Sequence, residues 1–230
     1  MQPTTPLYQA LAAHQKKGRA SFHTPGHKGR EGIFPPDLLS LDVTELPDTD
    51  SLFEAGGPIL QAEQEAAQEL GTAHTFFSAG GCTLCILAML RLASLDRPPG
   101  KRKILAGRVL HRSAVQGMAL LDLEPVWVLP RQDAGQHLAG RVHPEDVEAV
   151  LRREGDSIAA VYVTSPDYFG VLADIPGLSA VCRRYDVPLL VDNAHGAHLF
   201  FTSPACHPLR EGADMTACSA HKTLPVLTGG

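Results

Sequence analysis

The sequence has no apolar run of bilayer-spanning length, and Met1-Gln2-Pro3-Thr4 does not begin the charged-then-apolar pattern of an export leader. A helical membrane protein is therefore excluded, and a cytoplasmic one is expected. A basic excess is also missing. The formal charge is -5 with a pI of about 6.1, and Lys101-Arg102-Lys103 reads as the solvated entrance to a strand. Neither nucleic acid nor an anionic membrane is expected as a partner. Cysteine is sparse and odd in number, Cys82, Cys85, Cys182, Cys206 and Cys218, with a single C-x-x-C that no second one follows. Paired zinc spacing and a disulfide framework are thus unsupported, and Cys82 and Cys85 read as small residues of a turn and a core helix. Internal repeats, charge blocks and low-complexity stretches are absent, and the 18 prolines are scattered instead of forming a linker.

What is present suits a folded α/β chain. Its 230 residues, 44% hydrophobic and 20% charged, are enough to bury a core, as one large domain or two small ones, with one the economical choice. Thr4 or Thr5 caps a first helix that Pro6 opens and Gly18 stops. From Phe22 to Gly57 the chain is rich in Gly, Pro and Asp and is expected to lack regular structure, a length of loop that is usually functional or packed on a partner. Residues 1–57 are accordingly expected to form a helix and an irregular arm, ahead of a domain spanning 58–230.

That domain begins with a helix over Pro58 to Leu70, a short strand over Thr75 to Ser78, a Gly80-Gly81 turn and an apolar helix over Thr83 to Ala93. Strands follow at Ile104-Leu105, Pro125 to Leu129, Ala159 to Val163, Pro188 to Val191 and Met215 to Cys218. Helices stand between them at His111 to Leu121, from His143-Pro144 onward, and near Gly177 to Tyr185. Apolar strands alternating with amphipathic helices predict a mostly parallel sheet covered on both faces. Ligands on such sheets bind beyond the carboxyl ends of the strands, where the Gly80-Gly81 turn, His111, Ser165, Asp192, His195 and Lys222 all fall.

Each of these positions has a plain reading and a chemical one. Ser219-Ala220-His221-Lys222-Thr223 can be a surface lysine after a strand. A lysine that a desolvated pocket and a neighbouring His221 relieve of its proton can instead bond to an aldehyde. Gly80-Gly81-Cys82-Thr83 can be a simple turn, yet glycines ahead of a helix present N–H groups and the positive end of its dipole to a phosphate. Neither a nucleotide P-loop nor a dinucleotide glycine spacing is present, so a single phosphate fits better. Asp192 can cap its strand or partner a protonated ring nitrogen, and His111 can cap a helix or stack on a ring. Asp192, His195 and His198 form D-x-x-H-x-x-H, compatible with zinc or manganese, but a metal leaves the glycine turn and Lys222 unexplained, and none is expected.

Six segments in order resemble the Orn/Lys/Arg decarboxylase family, pyridoxal-phosphate enzymes of the aspartate-aminotransferase (type I) fold. They are Thr24 to Gly29, Asp42 to Leu46, Gly80 to Thr83, Thr164 to Gly170, Val191 to His198 and Ser219 to Pro225. The resemblance implies that Lys222 holds pyridoxal 5'-phosphate as a Schiff base, Asp192 pairs with the pyridinium nitrogen and His111 stacks on the ring. It places His195 beside the ring and Gly81, Cys82, Thr83, Ser219 and His221 around the phosphate. It further implies α-decarboxylation of lysine, arginine or ornithine, of the kind that serves polyamine biosynthesis, in a homodimer whose early arm lies against the partner's cofactor.

Two positions depart from the family pattern. Cys82 stands where Ser is usual, which weakens one phosphate donor, and Asn193 stands where Glu is frequent. The family also continues beyond this point with the rest of the large domain and a smaller C-terminal domain, so the chain is expected to be a fragment whose large domain is incomplete at its C-terminus. Aminotransfer or another lyase reaction on the same fold remains open. So does a catalytically silent binding subunit, which the early end and Cys82 motivate.

Overall fold

The structure, a computed structural model, describes residues 4–23, 25–30, 32, 34–95, 97–131 and 140–227. Thr24 of the early histidine motif lies outside the described residues. The chain divides into two compact units, Met1–Phe77 and Ser78–Gly230.

The first unit holds three helices, α1 (Pro6–Lys16), α2 (Pro36–Leu41) and α3 (Pro58–Leu70), with α1 packed on α2 and α3. Proline opens α1 and α3 because a first-turn N–H has no helical partner to lose, and Gly71 closes α3 in the left-handed conformation at φ 65°. Thr5 occupies the N-cap of α1 without using its hydroxyl, whereas Thr4 Oγ1 bonds to Glu65 on α3. The expected cap is therefore one of position only. The stretch expected to be irregular contains α2, a short leucine-rich helix that Pro36 starts. Its remaining loops are tied by side chains: Asp50 accepts N–H groups from Ser51, Gly56, Gly57 and Ile59. The strand expected over Thr75 to Ser78 does not form. In place of a ladder, the Phe77 N–H donates to the buried Glu63 Oε1 at 2.8 Å.

The second unit is a five-stranded, wholly parallel sheet in the order β2-β1-β3-β4-β5. The strands are β1 (Lys103–Gly107), β2 (Glu124–Val128), β3 (Ile158–Thr164), β4 (Leu189–Asn193) and β5 (Met215–Cys218). The helices are α4 (Gly81–Leu95), α5 (Arg112–Leu120), α6 (Pro144–Glu154), α7 (Ile175–Arg184) and three of one turn, α8 (Leu199–Thr202), α9 (Pro208–Glu211) and α10 (Ala220–Thr223).

Side-chain alternation along the strands builds two cores. Ile104, Ala106, Tyr162, Leu190 and Ala217 meet Ile86, Leu90, Ala114 and Met118 of α4 and α5. Leu105, Val161, Val163, Leu189 and Val191 meet Val147, Leu151, Leu178 and Val181 of α6 and α7. Helices thus cover both faces, as the apolar strands demand, because a parallel sheet has no face suited to water. The three one-turn helices go beyond the sequence expectation, being too short to show a period. Among the described residues no helix is long and apolar enough to cross a membrane.

Candidate functional site

The carboxyl ends of β3, β4 and β5 lie in register, Thr164 opposite Asp192 and Asp192 opposite Ala217. Asp192 shares the side of β4 that carries Leu190, the α4 and α5 face, and is 2% exposed. A carboxylate at that depth must find donors. Ala194 N–H reaches its Oδ1 at 3.1 Å, and the Tyr162 hydroxyl reaches its Oδ2 at 3.2 Å. Burial, then the Asp192 charge, pushes the Tyr162 phenol above its ordinary range.

The start of α4 comes to the same place. Gly81 opens the helix at φ 67°, a conformation that costs any other residue, and the Gly80 N–H donates to Ser78 Oγ at 3.2 Å. A Cβ on Gly80 would lie 2.7 Å from Leu84 Cδ2, so the turn is closely packed. The half-buried Cys82 thiol is pushed up to about 12, first by burial and next by the Asp192 carboxylate, while Lys222 acts in the opposite direction. Helix α4, which carries Cys82, packs on β5, the strand that leads to Lys222.

Lys222 sits on α10, directly after Ser219 ends the chain's exit from β5. Among the described residues its side chain is exposed, on the single turn that follows β5. Its Nζ lies 3.3 Å from Nε2 of the half-buried His195, whose ring meets Tyr168 edge-on with centroids 6.2 Å apart. His195, His198, Asp167 and Tyr168 line a cavity of about 370 Å³ beside that pair. His221 is exposed on the same turn as Lys222. His111 is the N-cap of α5, accepting from the Ser113 N–H at 3.3 Å, with its Nδ1 2.8 Å from Ser113 Oγ. Capping and an exposed ring thus occur in one residue.

The donor set suits pyridoxal phosphate. Ser219 Oγ is buried and has no partner among the described residues, a hydroxyl that a phosphate oxygen would satisfy, and Thr223 Oγ1 is in the same position. The α4 start supplies N–H groups and a partial positive charge, the exposed amine is available to an aldehyde, and Asp192 supplies an anion. Among the described residues no three His, Cys, Asp or Glu side chains gather to hold a metal ion.

Two residues of the site drew no role from the sequence. Tyr162 was hidden in an apolar strand, and only its parity with Asp192 on the same sheet face could have singled it out. Asn193, noticed as a departure, is fully buried; its Nδ2 donates to the Ser165 carbonyl at 2.7 Å and its Oδ1 lies 3.4 Å from Cys218 Sγ. It fastens the ends of β3 and β5 to β4.

A family model described as "Orn/Lys/Arg decarboxylase, major domain" matches residues 5–230. Among curated proteins, the "Uncharacterized protein YaaO" of Bacillus subtilis is 38% identical across 98% of this chain and 48% of its own length. The arginine decarboxylase of Halalkalibacterium halodurans is 33% identical across 99% of this chain and 47% of its own. The chain spans about half the length of the curated relatives it matches. Among solved structures, lysine decarboxylase A from Pseudomonas aeruginosa superposes with a TM-score of 0.79 at 21% identity, covering 94% of this chain and 32% of that one, a likeness of fold.

Proposed function

Because the chain belongs to the Orn/Lys/Arg decarboxylase family, we propose that the protein, as its gene encodes it, removes the α-carboxylate of a basic amino acid, arginine, lysine or ornithine, using pyridoxal phosphate. The observation that carries this reading is the placement of Asp192 beside β5, of α4, which carries Cys82, against the same strand, and of Lys222 on the turn that follows it, with a Ser219 hydroxyl that has no partner among the described residues. When bound, the cofactor supplies an electron sink for the charge left as carbon dioxide departs.

The chain's own residues divide the remaining work. Lys222 Nζ is the attachment point, and its exposure leaves it open to an incoming amino acid. Asp192 holds a fixed negative charge toward the ring nitrogen, on the most buried strand end of the site, where a low dielectric strengthens the attraction. Gly81, Cys82, Thr83, Ser219 and His221 would surround the phosphate, with Gly81 supplying the left-handed backbone at φ 67° that a residue with a Cβ adopts only under strain. His111 presents a ring at the mouth of α5 for stacking. His195 Nε2, 3.3 Å from Lys222 Nζ, exchanges a proton with that amine and holds it in place.

The reading extends to a cytoplasmic homodimer in which residues 1–57 form an arm against the partner and 58–230 bind the cofactor. Incubating the purified protein with each basic amino acid, with Lys222→Ala alongside, tests the reaction. Release of the matching amine and carbon dioxide by the wild type alone supports it. A keto acid product makes the protein an aminotransferase, and neither product makes it a silent subunit.

A further inference from the structure

The Tyr162 hydroxyl has one hydrogen-bond partner of note, the Asp192 carboxylate. Tyr162 is fully buried within the core that α4 and α5 form, where a phenylalanine would fill nearly the same space. A phenol in that setting costs stability unless its oxygen is bonded, and the bond it makes spans 3.2 Å to Asp192 Oδ2. The register explains the reach. Tyr162 pairs with Leu190, one same-face step before Asp192, so its ring runs along the sheet face toward the site and ends at the carboxylate.

We infer that Tyr162 is a positioning residue for cofactor binding: its hydroxyl holds Oδ2 while the Ala194 N–H holds Oδ1, and together they fix the rotamer in which Asp192 meets the ring nitrogen. The inference rests on the reading of Asp192 as the partner of the ring nitrogen. Cys82 on α4 and Cys218 on β5 are the other ionisable groups that bear on Asp192 from neighbouring elements. Burial pushes the half-buried Cys82 thiol up to about 12, so it stays uncharged through the neutral range, and the Cys218 thiol, exposed as a residue, is also raised. Lys222 and His195 stand at the outer side of the site. Tyr162 thus donates a side-chain hydrogen bond to this carboxylate, and removing its oxygen leaves Oδ2 without that donor.

The test is Tyr162→Phe in the protein as its gene encodes it, read by thermal unfolding without cofactor, by the dissociation constant for pyridoxal phosphate, and by the acid limb of the bound cofactor's visible absorbance. The variant is expected to fold, to bind about tenfold more weakly, the worth of one hydrogen bond to a charged group, and to lose its band at a higher pH than the wild type. In an Asp192→Asn background the same change should add nothing further. Equal affinity and an unmoved acid limb overturn the inference alone. A wild-type protein that takes up no cofactor overturns the underlying reading, and the inference with it. Should Tyr162→Phe fail to fold, Tyr162→Met, which also fills the apolar site without a hydroxyl, takes its place with the same readouts, the same expected losses and the same overturning result.

Discussion

Lys222 Nζ and His195 Nε2 lie 3.3 Å apart, one on the turn after β5 and the other on the loop after β4. At that distance the amine and the ring nitrogen are within hydrogen-bond reach of each other. The contact joins two strand ends through functional groups instead of backbone.

Lys222→Ala should abolish borohydride-fixed labelling by pyridoxal phosphate, while thermal stability changes by no more than about 0.5 kcal/mol, because the side chain is exposed. His195→Ala should retain the label and lose about a hundredfold in turnover, the usual scale for one proton-transfer group. Mass spectrometry of the reduced adduct and steady-state assays check the two expectations. A labelled Lys222→Ala protein would remove Lys222 from its role.

Gly81→Ala should weaken cofactor binding and cost about 1 kcal/mol of stability, since φ 67° strains any residue with a Cβ. Gly80→Ala should be worse, because its Cβ meets Leu84 Cδ2 at 2.7 Å and the first turn of α4 must shift. Paired thermal melts with and without pyridoxal phosphate separate lost stability from lost affinity.

Cys82→Ser should tighten cofactor binding by about fivefold, equivalent to ~1 kcal/mol. The half-buried thiol, pushed up to about 12, is a neutral and weak donor, whereas a hydroxyl in the same place donates well. Equilibrium dialysis of both proteins measures the difference, and weaker binding by the serine variant would count against a phosphate at the start of α4.

The first unit should lose stability in acid through Asp50. Burial raises this carboxyl's pKa, but N–H groups of Gly56, Ser51, Gly57 and Ile59 outweigh that and bring it down to about 2. Because the folded value lies below the unfolded one, near 3.8, the contribution is complete above that value and disappears as pH falls toward 2. Asp50→Asn should be less stable at pH 7 and show a flatter acid dependence between pH 4 and 2 by circular dichroism.

The sheet was legible because its strands are apolar and bounded by turn residues: Met215–Cys218 and the helix Pro58–Leu70 have the expected limits. Thr75 to Phe77 misled because β-branched and aromatic residues suit a strand, while the buried Glu63 takes the Phe77 N–H that a neighbour strand would need. α2 was obscured by the prolines and glycines around it, and α8 to α10 are too short for a period to register. Within the site, the chemistry-bearing residues could be placed at strand ends from order alone. The Tyr162 contact could not, since it depends on how far a side chain runs along a face. Nor could the exposure of Lys222, which depends on what stands beside the last strand.

The order β2-β1-β3-β4-β5 gives the site a history as well as a shape. Gly81 and Lys222 come from opposite ends of the second unit, and α4 packs on β5, the strand that leads to Lys222. Closing so long a loop has an entropic cost that the earlier strand pairs must first offset, which slows folding and places the formation of the site late in it. On the ribosome, α4 therefore waits with its glycine turn exposed until β5 emerges. Cofactor capture becomes a signal that synthesis has passed Lys222, and free pyridoxal phosphate should accelerate only the final phase of refolding.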